Sequence, residues 1–241
     1  YYAETDMMLL TDVGSGAEDD DGAITVIRNF TAAAADGSIS DSEQDRIEGD
    51  NTNLGNPVDI AYDRDGDYIW IAERANAGGR ILGFEVPTED GNVAPVYDEL
   101  YEGASAVYLS NCLEQIVNDI DEVEFKLAIS SNTMSRIGLL EIDGDNTTNL
   151  NTANIANSDS DGIYYDEEND VLYQLDRSNN VVKAYSNFYE NVQDGSAVEM
   201  TAVSTSDFTN GREIAFSDGK LVVAQDAADS NGNTNAFVIY D

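Results

Sequence analysis

The sequence predicts an all-β fold: a β-propeller of five or six blades, built from four-stranded antiparallel sheets with the first and last blades reduced. Three observations carry this. A strand–turn–strand phrase recurs along the 241 residues, its copies are spaced by about 50 residues, and apolar residues alternate within each copy. Alternation is what a half-buried strand requires. A period of 40–50 residues with four short strands is the signature of a propeller blade.

The clearest copy runs Asn56-Pro57-Val58-Asp59-Ile60-Ala61-Tyr62-Asp63, then Gly66, Tyr68–Arg74 and Arg80–Phe84. It reads as strand, Asp65-Gly66 turn, strand, loop, strand, since glycine accepts the positive φ of tight hairpins. The phrase returns at Gly162–Asp166, Val171–Asp176 and Val181–Tyr185, and again at Glu213–Phe216, Leu221–Asp226 and Ala236–Tyr240. A degenerate copy uses Ala106–Leu109, Phe125–Ile129 and Arg136–Leu140. With Ile60, Val107, Ile163 and Ile214 as equivalents, the spacings are 47, 56 and 51 residues.

Fourth strands are expected at Val93–Leu100, Leu150–Ala156 and Ala197–Ser204, with the weaker pattern of an edge. Before Asn56 lies a partial copy with strands at Met7–Val13, Ile24–Phe30 and Arg46–Asn51, so the first blade lacks its opening strand. The last copy stops after its third. Ala32–Ala35 and Leu113–Ile120 suit short helical turns. The repeat units are 1–54, 55–102, 103–157, 158–207 and 208–241, with no linker between them, so a single domain is expected.

Charge bounds the function. Asp and Glu total 48 against 11 Lys and Arg, a net charge of −37. Such a surface repels nucleic acid and anionic headgroups, so neither nucleic-acid binding nor membrane insertion is expected. Self-repulsion is screened by salt, because the Debye length falls to about 3 Å at 1 M, and this points to a high-salt or marine setting or a divalent-cation-rich surface, the alternative being an acidic secreted protein from an ordinary habitat. The absence of histidine excludes Ser-His-Asp and Cys-His catalysis and every His-ligated metal site. Cys112 is the one cysteine, so no disulfide forms within the chain, and it is expected as a small buried side chain. No apolar run approaches the 18 residues of a spanning helix. The chain begins at Tyr1 and reads as a mature product whose expected place is extracellular or at the cell surface. Asn29-Phe30-Thr31 and Asn146-Thr147-Thr148 are glycosylation sequons in that setting.

Residues 55–86 resemble an NHL repeat, through Pro57, Ile60, Ala61, Asp63, Gly66, Ile69, Trp70, Ala72, Glu73, Asn76, Arg80, Ile81 and Phe84. The other copies match that pattern in outline, over roughly four fifths of the chain. The resemblance implies a propeller with Trp70 in a blade core and Arg80 paired to an acidic group of a neighbouring strand. Those roles build a fold and carry no function by themselves.

Calcium is the cofactor this chain can be asked to hold. Asp63, Asp65 and Asp67 alternate, as do Asp143, Asp145, Thr147 and Asn149, with Asp159 and Asp161 a shorter pair. Hard cations take six to eight oxygens, and such spacing supplies three. Neither longer run has the glycine and glutamate of an EF-hand loop. The starts of the opening strands hold Asn56, Asp59, Asp159, Asp161, Asn210 and Glu213, with only Ser105 in the degenerate copy. Convergence of these groups at a channel mouth resembles gluconolactonase-like propellers, which implies a calcium-dependent hydrolase whose metal activates water or polarises a lactone carbonyl. The favoured expectation is non-enzymatic: an exported scaffold binding protein or glycan. The alternatives are a self-assembling surface or filament subunit using strand addition, and the lactonase.

Overall fold

A computed structural model describes residues 1–15, 18–110, 124–143, 146–147, 150–156, 159–204, 206–226 and 237–240. Cys112, the Leu113–Ile120 turn, Asp145, Thr148 and Asn149 lie outside them.

The chain divides into two compact units, Tyr1–Ala104 and Ser105–Asp241. The first holds two antiparallel meanders. One is β1 (Met7–Asp12), β2 (Ala23–Arg28) and β3 (Asp45–Glu48), with the short helix α1 (Phe30–Ala33) between the last two. The other is β4 (Pro57–Asp63), β5 (Tyr68–Glu73), β6 (Arg80–Glu85) and β7 (Tyr97–Leu100). Alternation decides which side chains meet. Met7, Leu9, Ile24, Val26 and Ile47 of the first sheet form one buried cluster with Tyr62, Ile69, Ile71, Leu82 and Phe84 of the second. Trp70 faces the opposite side of its sheet, buried with its ring edge-on to Tyr97. Gly83 sits beneath it because an added Cβ would lie 3.1 Å from the indole ring. Arg80 pairs with Asp98 on β7, as the repeat implied.

The second unit holds three meanders. In chain order the first contains β8 (Ala104–Ser110), β9 (Glu124–Ser131) and β10 (Arg136–Asp143). The outer edge of β10 is shared by β11 (Asn146–Thr147) and β12 (Asn151–Asn154), which makes this sheet five-stranded where four were expected. Next come β13 (Ser160–Asp166), β14 (Val171–Asp176), β15 (Val181–Ser186) and β16 (Ala202–Val203). The helix α2 (Phe188–Gln193), which the β-repeat does not announce, lies between the last two and buries Phe188 and Val192. The final sheet is β17 (Gly211–Ser217), β18 (Lys220–Gln225) and β19 (Phe237–Tyr240). Five sheets at the repeat spacing, with three-stranded first and last members, are the blades of a five-bladed β-propeller.

The β4–β5 turn differs from the sequence reading. Asp67, not Gly66, takes the left-handed conformation, at φ 56°. Gly66 is required for closeness instead: a Cβ there would lie 2.7 Å from Asp63 Oδ2 and 2.8 Å from the Tyr68 ring. Asp63 is buried, and its Oδ1 accepts the N–H groups of Asp65 and Gly66 at 3.0 Å each. Asp67 accepts the Tyr62 hydroxyl at 3.1 Å. Burial, and then that carboxylate, push the Tyr62 pKa up to about 12. The fourth blade repeats the device, with Asp170 at φ 49° accepting from Tyr165 at 2.9 Å. The alternating aspartates of 63–67 are therefore parts of one turn, each with its own local partner.

A glycine also sets the spacing of neighbouring blades. An added Cβ at Gly162 on β13 would come within 2.7 Å of the Glu213 carboxylate and 2.9 Å of the Ile214 nitrogen on β17. Gly162→Ala is expected to cost about 1–3 kcal/mol, the range for forcing extra volume into a packed site. Chemical denaturation checks it.

Candidate functional site

The six residues expected at the channel mouth divide between the units. Asn56 and Asp59 belong to the first, and Asp159, Asp161, Asn210 and Glu213 to the second. In each of β4, β13 and β17 a register shift falls at the strand start, between Pro57 and Asp59, Ser160 and Ile163, and Gly211 and Glu213. A bulge re-aims side chains, so it is why this level of the blade presents polar groups.

In the first unit the aims are local. Asp59 Oδ1 accepts its neighbour's N–H, that of Ile60, at 2.8 Å. The Asn56 backbone is gripped from both sides, donating to Glu73 at 2.9 Å and accepting from the Arg74 N–H at 3.0 Å.

In the second unit the carboxylates converge, and two arginines meet them. Arg177 bridges Asp159 at 2.9 Å and Asp161 at 3.0 Å, while Arg212 reaches the same Asp161 oxygen at 3.1 Å and Asp226 at 2.6 Å. Ser178 donates to Asp159 at 2.7 Å. Asn210 donates through its backbone to Asn180 at 2.9 Å and through its amide to Asp226. Glu213 accepts the Ile214 N–H at 2.7 Å. Burial opposes the charge on Arg212, yet Asp226 and Asp161 outweigh it and raise its pKa. Charge-assisted pairs of this kind hold both partners in fixed positions. Among the described residues, no group of three or more acidic or cysteine side chains is placed to hold a metal ion.

The sequence did not single out Arg177, which just follows β14, or Arg212, which lies at the start of β17, because period-two patterning records apolar alternation and not the partner a polar side chain meets. It also missed a row of buried polar groups closing the second strand of the second, fourth and fifth blades. Glu73, with no exposed surface, accepts four backbone N–H groups, from Gly55, Asn56, Ala75 and Asn76. At the equivalent position Asp176 accepts from Asn179 and pairs with Lys183, and Gln225 accepts from Thr209. The visible signal is a polar residue ending an otherwise apolar strand.

The second unit also carries an apolar groove of about 420 Å³ between its last two blades. Tyr173, Val182, Phe216, Leu221, Tyr240 and Val203 form most of its wall. The Tyr173 and Phe216 rings stack within it at 12°, their centroids 6.1 Å apart.

Strand order, repeat and core place the chain among the β-propellers. Solved structures agree on the fold. A chain of the nidogen/laminin complex superposes with a TM-score of 0.58 at 12% identity, covering 91% of this chain and 70% of that one. The periplasmic gluconolactonase PpgL of Pseudomonas aeruginosa gives 0.51 at 12% identity, over 99% and 83%. A 6-phosphogluconolactonase-like protein of Bacteroides uniformis ATCC 8492 gives 0.57 at 10% identity, over 98% and 69%. At such identities the likeness is one of fold. No protein-family profile and no curated protein matches the chain.

Proposed function

We propose that this propeller is an exported, non-catalytic binding scaffold for polypeptide partners in a salt-rich medium. The observation that supports it best is the pairing of the converged carboxylates with arginine. Asp161, almost wholly buried at its side chain, shares one oxygen between Arg177 and Arg212. A cation entering there displaces two guanidinium groups, so the arrangement favours a structural ion-pair cluster over an open metal seat. The nidogen/laminin neighbour supports protein binding as the use of this fold.

Two measurements test the proposal. Purified protein is expected to show no lactone hydrolysis with millimolar calcium, and none that Asp161→Ala removes. Calcium-dependent turnover lost in that variant overturns the reading in favour of the lactonase. The salt-rich setting has its own test. Lowering NaCl from 2 M to 10 mM is expected to reduce the melting temperature by on the order of 10 °C, the size of a loss of several kcal/mol in a chain of this length. A melting temperature indifferent to salt removes the salt-adapted part of the proposal.

A further inference from the structure

We infer that the apolar groove between the fourth and fifth blades binds a small organic cation, one whose ammonium charge is clothed in methyl groups. It is built from other residues than the arginine-bridged carboxylates, and the inference does not depend on the scaffold reading.

The groove follows from strand register. On the fourth blade Tyr173 of β14 stands opposite Ala184 of β15, and Ala184 opposite Ala202 of β16. On the fifth, Phe216 of β17 stands opposite Leu221 of β18, and Leu221 opposite Tyr240 of β19. Residues directly opposite in a ladder share a face, and all six of these line the groove. The two alanines stop short where the aromatic side chains reach across, and that difference leaves a space of about 420 Å³. A volume of this size lies in the range of small-molecule sites. The rings form its wall. Tyr173 and Phe216 meet nearly parallel, at 12°, and Tyr164 continues the aromatic row with its centroid 5.3 Å from that of Phe216.

Chemistry selects the occupant. The faces of Tyr173, Phe216 and Tyr240 carry the negative side of the ring quadrupole, which attracts a cation. Both blades bring a carboxylate close to these rings. Burial, and then the charge of Asp166, push the Tyr173 pKa up, and Asp166 is itself bonded by the neutral Asn169, so its charge is kept. On the fifth blade burial raises the Tyr240 pKa, bonds from Ser204 and the Asp207 N–H oppose the rise, and the Asp207 carboxylate adds to it. Lys183 and Lys220, whose chain neighbours line the groove, alternate onto the other faces of their strands. An anion is therefore disfavoured. A bare metal ion is disfavoured too, since the buried Val182 and Leu221 cannot replace its hydration shell. A methylated ammonium meets both conditions, because its charge is drawn to the rings and its methyl groups pack on the apolar wall.

The test titrates the whole chain with choline and with 3,3-dimethylbutan-1-ol, its uncharged carbon isostere, in about 0.5 M NaCl, following ring-proton shifts by NMR. Choline is expected to bind saturably, and the isostere about tenfold or more weaker, roughly 1.4 kcal/mol. Asp166→Asn is expected to weaken choline about threefold, the effect of a partly exposed charge, and to leave the isostere unchanged. Ala202→Trp, at an exposed position facing Ala184, fills the groove and is expected to abolish choline binding. Thermal melting checks that each variant folds, and Asp166→Asn with the two ligands decides the matter if the tryptophan variant does not. Absence of saturable choline binding overturns the inference. So does equal binding of the isostere, which makes the groove a neutral apolar pocket. Choline binding unchanged in a folded Ala202→Trp overturns it as well, since the cation then sits elsewhere. None of these outcomes touches the scaffold reading, whose own test is lactone turnover.

Discussion

Glu73→Ala is expected to destabilise the first unit by about 3–5 kcal/mol, enough to unfold a domain of ordinary stability under mild denaturant. One carboxylate without exposed surface accepts from Gly55, Asn56, Ala75 and Asn76. Those donors come from both chain segments flanking the β4–β5 pair. Alanine leaves them without an acceptor in a dry site and opens a cavity, and each unsatisfied buried donor costs about 1–3 kcal/mol. Relaxation and entering water recover part of that sum. Glu73→Gln keeps one acceptor oxygen and the side-chain volume but brings an NH₂ group toward donors, so it should lie between wild type and alanine. Urea unfolding of the three proteins checks the order. An alanine variant within about 0.5 kcal/mol of wild type, the range of ordinary surface substitutions, would show that the carboxylate is not the keystone of this blade.

Lys183→Met is expected to cost about 3–5 kcal/mol, the range for breaking a buried ion pair by removing one partner. The Lys183 ammonium lies 2.7 Å from Asp176, whose side chain has no exposed surface. Methionine preserves the stem's packing and leaves the carboxylate with only the two Asn179 donors, at 3.1 and 2.7 Å. Adding Asp176→Asn to Lys183→Met should recover part of the loss, because the stranded charge is then gone, and the double-mutant cycle gives the coupling directly. The pH dependence has a definite sign. Burial alone raises the Asp176 pKa, but Lys183 and Asn179 overcome it and hold the group below the ordinary carboxylate value. A depressed folded-state pKa contributes stability above the unfolded value of about 3.9 and loses it as pH falls through the folded one. The wild type should therefore lose this contribution on acidification, and Lys183→Met should show a shallower acid slope. Parallel acid-unfolding curves for the two proteins contradict that account.

Much of the fold was legible in the residues. Ile60, Ile163 and Ile214 mark strands of one kind because period-two alternation depends only on local backbone geometry, and the structure places them at equivalent registers on β4, β13 and β17. That the first and last sheets hold three strands among the described residues was legible for the same reason. Gly66 was seen as a turn residue but for the wrong cause, since which residue takes positive φ depends on how Asp63 and Tyr68 crowd the turn. The short helix α2 escaped because Phe188 and Val192 are helical through the core they enter, against Ile163, Tyr165 and Leu172, and six residues carry too little periodicity to declare it.

The candidate site divides along the same line. Sequence by itself determined the chain's acidity, the exclusion of histidine chemistry, the five strand-rich repeats and the polar character of each opening strand's start. Only the tertiary structure decided what those polar groups meet. Arg177 follows β14 and Arg212 lies on β17, 35 residues apart, and nothing local records that both reach Asp161. Glu73 looked like one letter of a strand motif until the chain folded four backbone donors around it. The reason is physical: alternation and turn chemistry act over a few residues, whereas ion pairing and buried-donor satisfaction act through space, between segments that only the folded blades bring together.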